Sequence, residues 1–333
     1  MFIFVIAFLG LFLLELIYFK IADHFNIIDK PNERSSHSIL TIRGGGVIFP
    51  LALVLGIFID QPHQYLLAIG IFAIASISFL DDILTLNNKL RIGIHFISVL
   101  FILTQIFLNQ NMLISSPFSL VSFILILTSF VIIIGIINAY NFMDGINGMT
   151  VLYSSVTLIS FWFIQHQLNI PLLNENILLL LLASLVVFGF FNLRKKAKTF
   201  AGDVGSISMA LLFCFLLITL MVETANLKWI LLLGIYGLDA VATITCRIIR
   251  KENIFEAHRS HFYQYLANEL KWNHLLISIV YSVIQLMLNL TLIYFSIYIA
   301  IPIFIFIILL YITLRLKLEG FRKLFSSKMI SSD

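Results

Sequence analysis

Long apolar segments recur along the whole chain and restrict its fold more than any other feature. A helix that crosses a bilayer needs about 20 predominantly apolar residues. We predict eleven such segments, at about 2–19, 45–60, 65–80, 92–108, 118–137, 149–165, 177–191, 206–222, 229–246, 274–296 and 299–315. Hydrophobic residues make up 60% of the chain and charged residues 11%, whereas soluble domains carry roughly 25% charged residues. The predicted fold class is therefore all-α, with residues 1–333 forming a single polytopic membrane domain.

The distribution of basic residues predicts how these segments are oriented across the membrane. All but one of the 21 Lys and Arg residues fall in loops on one side of the predicted helices or in the tail after the last one, and only Lys228 falls on the other side. Because cytoplasmic loops are enriched in Lys and Arg, we expect the N-terminus outside and the C-terminus in the cytoplasm. The first segment has no basic residue ahead of it, so we interpret it as a membrane helix and not as a signal peptide.

The net charge and the cysteines exclude several classes of protein. The net charge is +4, and it comes from basic loop ends, which suit anionic lipid head groups better than nucleic acid. Cys214 and Cys246 both lie in apolar segments. We therefore expect them to pack in the protein interior, because neither a disulfide framework nor a zinc-ligand spacing is present in the sequence.

Most polar residues outside the apolar segments lie in five loops on the predicted cytoplasmic side. These loops span about 20–44, 81–91, 138–148, 192–205 and 247–273. The outer loops are short and nearly free of charge. A transporter needs polar groups near the middle of the bilayer that both sides can reach, and only Glu15 and Asp239 are acids well within an apolar segment. The distribution favours chemistry at one membrane face.

The first loop offers groups that suit a phosphate. It reads DKPNERSSHSILTIRGGGVIFP over residues 29–50. Three consecutive glycines, Gly44 to Gly46, allow a backbone to approach a ligand closely, and His37 and Arg43 add hydrogen-bond donors. The alternative interpretation is a tight turn that re-enters the membrane.

Carboxylates mark the start of the second loop and the end of the fourth. Adjacent acids such as Asp81 and Asp82 at the end of a membrane helix are costly unless they are solvated or bound to a cation. Consecutive helical residues point about 100° apart, so both need not bind one metal. Asp203 precedes a helix start whose free N–H groups would suit an anion. The alternatives are a solvated helix end for the pair and a capping role for Asp203 and Ser206.

The third and fifth loops carry amides and cations. The third reads NAYNFMDGINGM and concentrates Asn, Asp and Gly between two apolar segments, which is more than a turn needs. The fifth contains the cluster His258, Arg259 and His261; an amphipathic helix lying on the membrane is the alternative there. Carboxylates suit Mg²⁺, which usually keeps sites for water and substrate phosphates, and the cations suit a diphosphate. The loops together predict phosphoryl transfer between a nucleotide donor and an acceptor held in lipid.

At these residues the sequence resembles the polyprenyl-phosphate N-acetylhexosamine-1-phosphate transferases, which form glycosyltransferase family 4. The resemblance rests on DKPNERSSH…GGG, SFLDD, NAYNFMDGING, AGDVGS and AHRSHFYQ, which occur in the family's order and spacing over almost the whole chain. The His-Arg-Ser-His form of the last motif is most similar to the branch that initiates O-antigen or related surface glycans. The first loop lacks the Lys-x-Gly-Thr-Pro-Thr-Met-Gly-Gly pattern of the peptidoglycan translocase, which disfavours a muramyl-pentapeptide donor.

The resemblance implies a reaction, a location and binding partners. A sugar-1-phosphate would pass from a UDP-N-acetylhexosamine to undecaprenyl phosphate, with release of UMP, at the cytoplasmic face of a bacterial inner membrane. The implied cofactor is Mg²⁺, with Mn²⁺ as the alternative ion, and the other partner is membrane lipid. We expect no nucleic-acid partner, and a homodimer is compatible with the sequence. A transporter or flippase for lipid-linked or nucleotide sugars is the alternative function, and a structural membrane scaffold is a third.

The resemblance also implies roles for the matching positions. The implied catalytic residues are Asp81, Asp82, Asp144 and Asp203, and the substrate-binding residues are His37, Arg43, Asn138, Asn141, Gly145, Ile146, Asn147, Phe200, His258, Arg259 and His261. Asp203 would be the principal metal ligand, with Asp82 as the second. Phe200 would stack on uracil beside Asn147, which stands where many members have Asp. The cluster at His258 would steady the donor phosphates, while the Asp81–Asp82 pair would serve the polyprenyl phosphate or the metal.

Overall fold

The computed structural model describes residues 2–29, 40–84, 86–110, 120–254, 256 and 258–326. Within these residues the regular secondary structure is helical apart from two strands of two residues each, β1 (Ile28–Asp29) and β2 (Thr41–Ile42). The α-helices are α1 (Phe2–His24), α2 (Ile48–Asp60), α3 (Tyr65–Leu84), α4 (Asn88–Asn109), α5 (Leu120–Phe142), α6 (Met149–Leu168), α7 (Glu175–Asn192), α8 (Gly202–Thr224), α9 (Gly234–Ile249), α10 (Phe262–Asn268), α11 (His274–Tyr294), α12 (Ile297–Glu319) and α13 (Phe321–Phe325). Short 3-10 turns precede α2, α3 and α9. The all-helical, multi-pass prediction is confirmed.

The predicted count of eleven membrane-crossing helices stays a prediction. Each of the eleven predicted segments coincides with a helix, but eight helices in the described ranges are long and apolar enough to cross a membrane. Two further apolar helices, Gly45–Asp60 and Ile126–Phe142, are shorter. Helix α6 falls outside both groups because it carries polar side chains such as Ser154 and Thr157, which are completely buried inside the bundle.

Helix α8 lies at the centre of the bundle. Every residue from Val204 to Leu217 is buried, and α8 packs against α2, α3, α4, α5 and α6. A helix that is hydrophobic on all sides is stable only where protein or lipid surrounds it, and neighbouring helices do so for α8. By contrast, α12 has only Ala300 and Arg315 buried. The N-terminal end of α8 is therefore held in place from several directions.

The first and fourth loops are joined by a run of backbone hydrogen bonds that leads to the start of α8. The amide of Phe200 donates to the carbonyl of Ile42 at 2.9 Å, and the amide of Gly45 donates to the carbonyl of Phe200 at 2.9 Å. The amide of Gly46 donates to Ala201 at 3.1 Å. Strands β1 and β2 pair antiparallel beside this run. Two loops that are some 150 residues apart in sequence thus form one surface.

Glycines allow the two loops to approach this closely. A Cβ atom on Gly46 would lie 2.6 Å from the Cα of Gly205, and one on Gly205 would lie 2.8 Å from the Cα of Gly46. Gly202 has a φ of +70°, and a Cβ there would lie 2.6 Å from Oδ2 of Asp82. The Gly44–Gly46 run and the AGDVGS motif are therefore the two sides of one contact.

This contact predicts a stability effect for Gly205→Ala. Alanine favours a helix by up to about 1 kcal/mol over glycine, but the added methyl would meet backbone, and overpacking typically costs about 1–3 kcal/mol. We expect a lower thermal midpoint in detergent than for the wild type. Gly135→Ala is the matched control, because a Cβ on Gly135 meets nothing within 4 Å. Equal midpoints for the two variants would contradict the contact.

Candidate active site

Asp82, in the last turn of α3, accepts hydrogen bonds at the N-terminus of α8. The amide of Asp203 donates to Oδ1 and the amide of Val204 to Oδ2, each at 3.3 Å. The side chain of Asp82 is completely buried. Negative charge is favoured at a helix N-terminus, so a carboxylate from another helix stabilises this one. The prediction that these N–H groups are free for an anion is wrong, because Asp82 already accepts from them.

Arg43 connects the two carboxylates that were predicted as metal ligands. Its Nε lies 2.8 Å from Oδ1 of Asp82, and its Nη2 lies 3.8 Å from Oδ1 of Asp203. The hydroxyl of Tyr18 donates to the carbonyl of Arg43 at 2.5 Å and holds the backbone there. The side chain of Arg43 is 36% exposed and that of Asp203 is 20% exposed. Arg43 and Asp203 are therefore partly accessible, whereas Asp82 is buried beside them.

Asp81 points away from this cluster. Its Oδ2 lies 2.5 Å from Nη1 of Arg91, and its Oδ1 accepts from the amide of Leu86 at 2.8 Å. Adjacent helical side chains diverge by about 100°, and here the divergence separates two acids with different partners. Asp82 contacts the α8 site, while Asp81 stabilises the turn between α3 and α4.

Asn141 brings the third loop to the same helix start. The hydroxyl of Ser206 donates to Oδ1 of Asn141 at 2.7 Å and to the carbonyl of Gly202 at 3.0 Å. The side chain of Asn141 also hydrogen-bonds the carboxylate of Asp203. The N-cap of α8 is Ala201, which makes no side-chain capping bond. Neither Asp203 nor Ser206 caps α8, so the capping alternative is wrong; the side chain of Asp203 stays partly exposed, whereas Ser206 is buried and holds Asn141.

Asp144 is the acid of the third loop, and it is half-buried. The hydroxyl of Thr150, in the first turn of α6, donates to its Oδ1. Loss of hydration raises the pKa of Asp144 to about 7; the hydrogen bond from Thr150 opposes that rise, and the negative charges of Asp203 and Asp82 add to it. Thr150 was not predicted as a site residue. The only sequence signal for it is its position 6 residues after Asp144, in the first turn of the next helix.

The rest of the third loop contacts other loops. The side-chain amide of Asn147 donates to the carbonyl of Arg194 at 2.9 Å, and Ile146 is buried. A Cβ on Gly145 would lie 2.2 Å from the hydroxyl of Tyr263, so only glycine leaves room for that ring. Asn147 thus joins the third and fourth loops, and its predicted place along the uracil edge stays a prediction.

Two predicted residues, Asn138 and Phe200, make contacts of other kinds. The exposed side chain of Asn138 donates to the carbonyl of Ile134 in its own helix at 2.9 Å. Phe200 joins the first and fourth loops through its backbone, and its ring is half-buried. His37 lies outside the described residues. The structure therefore brings together Arg43, Asp82, Asn141 and Asp203, with Asp144 close enough for their charges to affect its ionisation.

The fifth-loop cluster divides into an accessible part and a buried part. Arg259 is exposed and His258 is half-buried, whereas His261 is completely buried with its Nδ1 3.1 Å from Oδ1 of Asp239. Burial is the main cause that lowers the pKa of His258 to about 4, and the neighbouring His261 and Arg247 contribute to the same shift. The imidazole of His258 is therefore neutral at pH 7.

A cavity of about 810 Å³ adjoins the accessible part of this cluster. His258 and Arg259 line it from the fifth loop, and Arg322 and Lys323 line it from α13. Neither Asp82 nor Asp203 is among its lining residues. The cavity is thus a polar, mixed-charge space beside the cationic residues and separate from the acidic cluster.

Comparison with known proteins connects this geometry to a family. Residues 64–221 match the family model described as glycosyl transferase family 4, a range that holds both Asp82 and Asp203. This match and the relatives below support membership of the polyprenyl-phosphate N-acetylhexosamine-1-phosphate transferase family.

Three relatives cover most of the chain. It is 26% identical over 275 residues to the "Probable undecaprenyl-phosphate N-acetylglucosaminyl 1-phosphate transferase" of Bacillus subtilis (strain 168), covering 79% of this chain and 76% of that protein. It is 27% identical over 256 residues to the phospho-N-acetylmuramoyl-pentapeptide-transferase of Thermotoga neapolitana, covering 74% and 82%. It is 24% identical over 282 residues to the undecaprenyl-phosphate alpha-N-acetylglucosaminyl 1-phosphate transferase of Thermotoga maritima, covering 81% and 83%.

The donor atoms at this site fit a magnesium ion. Asp82 and Asp203 offer carboxylate oxygens and Asn141 an amide oxygen at one helix start. Across the described ranges, no group of three or more His, Cys, Asp or Glu residues is arranged to hold a metal. Mg²⁺ is usually bound by one or two carboxylates and completes its shell with water and substrate phosphates. Two carboxylates are therefore enough for this ion.

The hydrogen bond from Thr150 predicts a pH effect on transferase turnover if Asp144 acts in its charged form. With a pKa of about 7, Asp144 loses its charge as the pH falls through that value, and turnover should fall with it. Thr150→Val removes a donor that favours the charged form, so the pKa rises and the acidic limb should move upward. Loss of a hydrogen bond to a charged group, about 1.5 kcal/mol, corresponds to about one pH unit.

Ser154→Ala is the matched control for this measurement. The Ser154 hydroxyl lies one turn further along α6 and pairs with the hydroxyl of Tyr140 at 2.6 Å, not with Asp144. Its pH profile should follow that of the wild type. An acidic limb that stays in place in Thr150→Val would show that ionisation of Asp144 does not govern turnover.

Proposed function

We propose that this chain transfers a sugar-1-phosphate from a UDP-N-acetylhexosamine to undecaprenyl phosphate and releases UMP. The observation that carries the proposal is the cluster of Asp82, Arg43 and Asp203 at the start of a buried helix. This cluster lies where the first four polar loops of a membrane bundle meet. Phosphoryl transfer needs positioned charge more than covalent chemistry from the protein, and the cluster supplies it at a membrane face.

The reaction joins one oxygen of the acceptor phosphate to the donor phosphorus that carries the sugar. The bond from that phosphorus to the oxygen bridging it to the uridine phosphate breaks, and UMP leaves with the bond's electron pair. A phosphate monoester has its second pKa near about 6, so the acceptor is largely a dianion at neutral pH. The acceptor then needs no strong general base, and the acidic residues serve mainly to position groups and control charge.

The residues around Asp203 divide the remaining tasks. Asp203 and Asp82 would hold Mg²⁺, or Mn²⁺ in its place, which supplies positive charge against the transferred phosphoryl group. Arg43 adds a fixed guanidinium beside both acids. Asn141 orients Asp203 by its hydrogen bond. Because Asp82 also accepts from two amides of α8, its position is set by the helix start before any ligand binds.

The fifth-loop cavity supports a donor with a diphosphate and a sugar. Its volume of about 810 Å³ falls within the range of roughly 300–1,000 Å³ that is typical of small-molecule sites. The planar guanidinium of Arg259 can donate two parallel hydrogen bonds to phosphate oxygens, and His258 can donate one further hydrogen bond. We place the donor sugar and phosphates on this side and the lipid acceptor at the α3–α8 side.

The choice of sugar rests on the sequence. The relatives include both N-acetylglucosaminyl and N-acetylmuramoyl-pentapeptide transferases, and the first loop lacks the pattern of the second class. The His-Arg-Ser-His motif supports a role in initiating O-antigen or a related surface glycan. The segregation of basic residues supports an active site on the cytoplasmic face of a bacterial inner membrane.

A flippase is less well supported because its two candidate residues have other surroundings. Asp239 accepts hydrogen bonds from residues of the fifth loop. Glu15 is completely buried beneath the first loop, where a Cβ on Gly45 would lie 2.8 Å from its Oε1. A transport path lined from both sides of the membrane needs polar groups that face open space. Neither acid meets that need.

Release of UMP by the purified chain tests the proposal, and Asp203→Asn tests the site. The amide keeps the shape of the carboxylate but removes its charge, so turnover with Mg²⁺, UDP-N-acetylhexosamine and undecaprenyl phosphate should fall by about 100-fold or more. Glu223→Gln is the control: it makes the same chemical change at the far, exposed end of α8, where Glu223 pairs with Gln110. Full activity in Asp203→Asn would remove Asp203 from the mechanism, and a wild type that releases no UMP would overturn the function.

A further inference from the structure

Asp239 is a completely buried acid in α9 to which the reaction described above gives no role. Its carboxylate accepts hydrogen bonds from several directions. The donors are Nδ1 of His261 at 3.1 Å, the amides of Phe262 at 3.2 Å and Tyr263 at 3.4 Å, the hydroxyl of Thr243 at 3.2 Å and the hydroxyl of Tyr281 at 2.6 Å. Three of these five donors belong to consecutive residues of the fifth loop and the start of α10. A plain contact between two helices would not need them.

We propose that Asp239 is a positioning residue that fixes His261 and the start of α10, and through them the donor-binding part of the fifth loop. The inference rests on the proposed function, because that function gives the fifth loop its substrate. Asp239 itself does not touch the donor. It acts through His261, and its effect should reach the substrate at His258 and Arg259.

The chemistry of the contact sets the tautomer of His261. An ionised carboxylate has no proton to donate, so the Nδ1 atom that faces it must carry the hydrogen. The hydrogen bond that one ring nitrogen makes determines which nitrogen is protonated. In the neutral imidazole, Nε2 of His261 is then the unprotonated atom. This is the less common tautomer of free histidine, which makes it a recognisable signature.

A second buried ion reinforces the same segment. Arg315 of α12 donates from Nη2 to the carbonyl of Ser260 at 2.6 Å and from Nη1 to the hydroxyl of Thr243 at 3.0 Å. Ser260 directly follows Arg259, and Thr243 also donates to Asp239. Burying a charge is costly unless it is paired and hydrogen-bonded. Arg315 is paired with Glu319 at 2.6 Å, and it holds the carbonyl of Ser260 while Asp239 holds the residues that follow it.

The location of His261 places it behind the residues that line the cavity. The His261 ring lies 5.0 Å from the ring of His258 and 5.9 Å from that of Phe142, measured between centroids. Its Nε2 is buried and has no hydrogen-bond partner among the described residues. The sequence predicted that His258, Arg259 and His261 all bind the donor. In the structure His258 and Arg259 line the cavity, whereas His261 is buried behind His258 and supports it.

The test combines histidine NMR with kinetics on the full chain in detergent. Samples labelled with ¹⁵N-histidine are recorded at a pH where the rings are neutral, and His261→Gln identifies the His261 signals. The wild type should show His261 protonated at Nδ1. In Asp239→Asn the new amide can donate as well as accept, so the tautomer is no longer fixed and a signal from the Nε2-protonated form should appear.

The kinetic arm separates positioning from general loss of structure. In Asp239→Asn the KM for the UDP-sugar should rise by about tenfold or more, because a charge-assisted hydrogen bond is weakened, while the KM for undecaprenyl phosphate stays unchanged. Tyr281→Phe is the matched control: it removes one donor from Oδ2 of Asp239 and leaves the contact between Oδ1 and His261. It should keep the Nδ1 tautomer and the wild-type KM.

Two results would overturn the inference. One is a wild-type spectrum in which neutral His261 is protonated at Nε2. This outcome can be measured even if no variant folds. The other is an Asp239→Asn protein with an unchanged His261 spectrum, or with both KM values unchanged and turnover reduced only in proportion to the folded fraction. A wild type that shows the Nδ1 tautomer but releases no UMP would instead overturn the proposed function and leave the contact between Asp239 and His261 in place.

Discussion

The hydrogen bonds from the first amides of α8 to Asp82 are the interaction on which the rest of the site depends. They fix the last turn of α3 against the start of a helix that five other helices surround. A buried carboxylate is costly without donors, and here two amides and Arg43 provide them. Because Gly46 and Gly205 approach closely at the same point, the first loop is held there as well. Asp203 is then presented at one defined place on the membrane face.

In this arrangement the acidic residues and the fifth-loop residues lie in separate parts of the structure. The acids that face α8 are separated from Asp81, which pairs with Arg91, and the fifth-loop cations lie along a cavity that the acids do not line. The transferase chemistry of the family requires a lipid acceptor and a soluble donor to meet. The structure provides an acidic cluster at the start of α8 and a separate mixed-charge cavity lined from the fifth loop and α13, and the proposed function assigns one substrate to each.

Periodicity and composition predicted the helices because the apolar segments are long enough to be unambiguous, and each of the eleven coincides with a helix. The divergence of Asp81 and Asp82 was predictable from helix geometry alone. Other features depend on contacts between residues far apart in the chain. That Asp82 would accept from the amide of Asp203, or that Asp239 would hold His261, cannot be read from spacing, since 121 and 22 residues separate the partners.

Transfer of the phosphate together with the sugar is the central claim, and label transfer tests it most directly. The donor is prepared with ³²P in the phosphate bonded to the sugar and with ¹⁴C in the sugar, and the purified chain is incubated with it, Mg²⁺ and undecaprenyl phosphate. Both labels should enter the lipid fraction in the ratio of the donor, and the nucleotide released should be unlabelled UMP. Lipid that carries ¹⁴C without ³²P, or ³²P retained in UDP, would contradict the account.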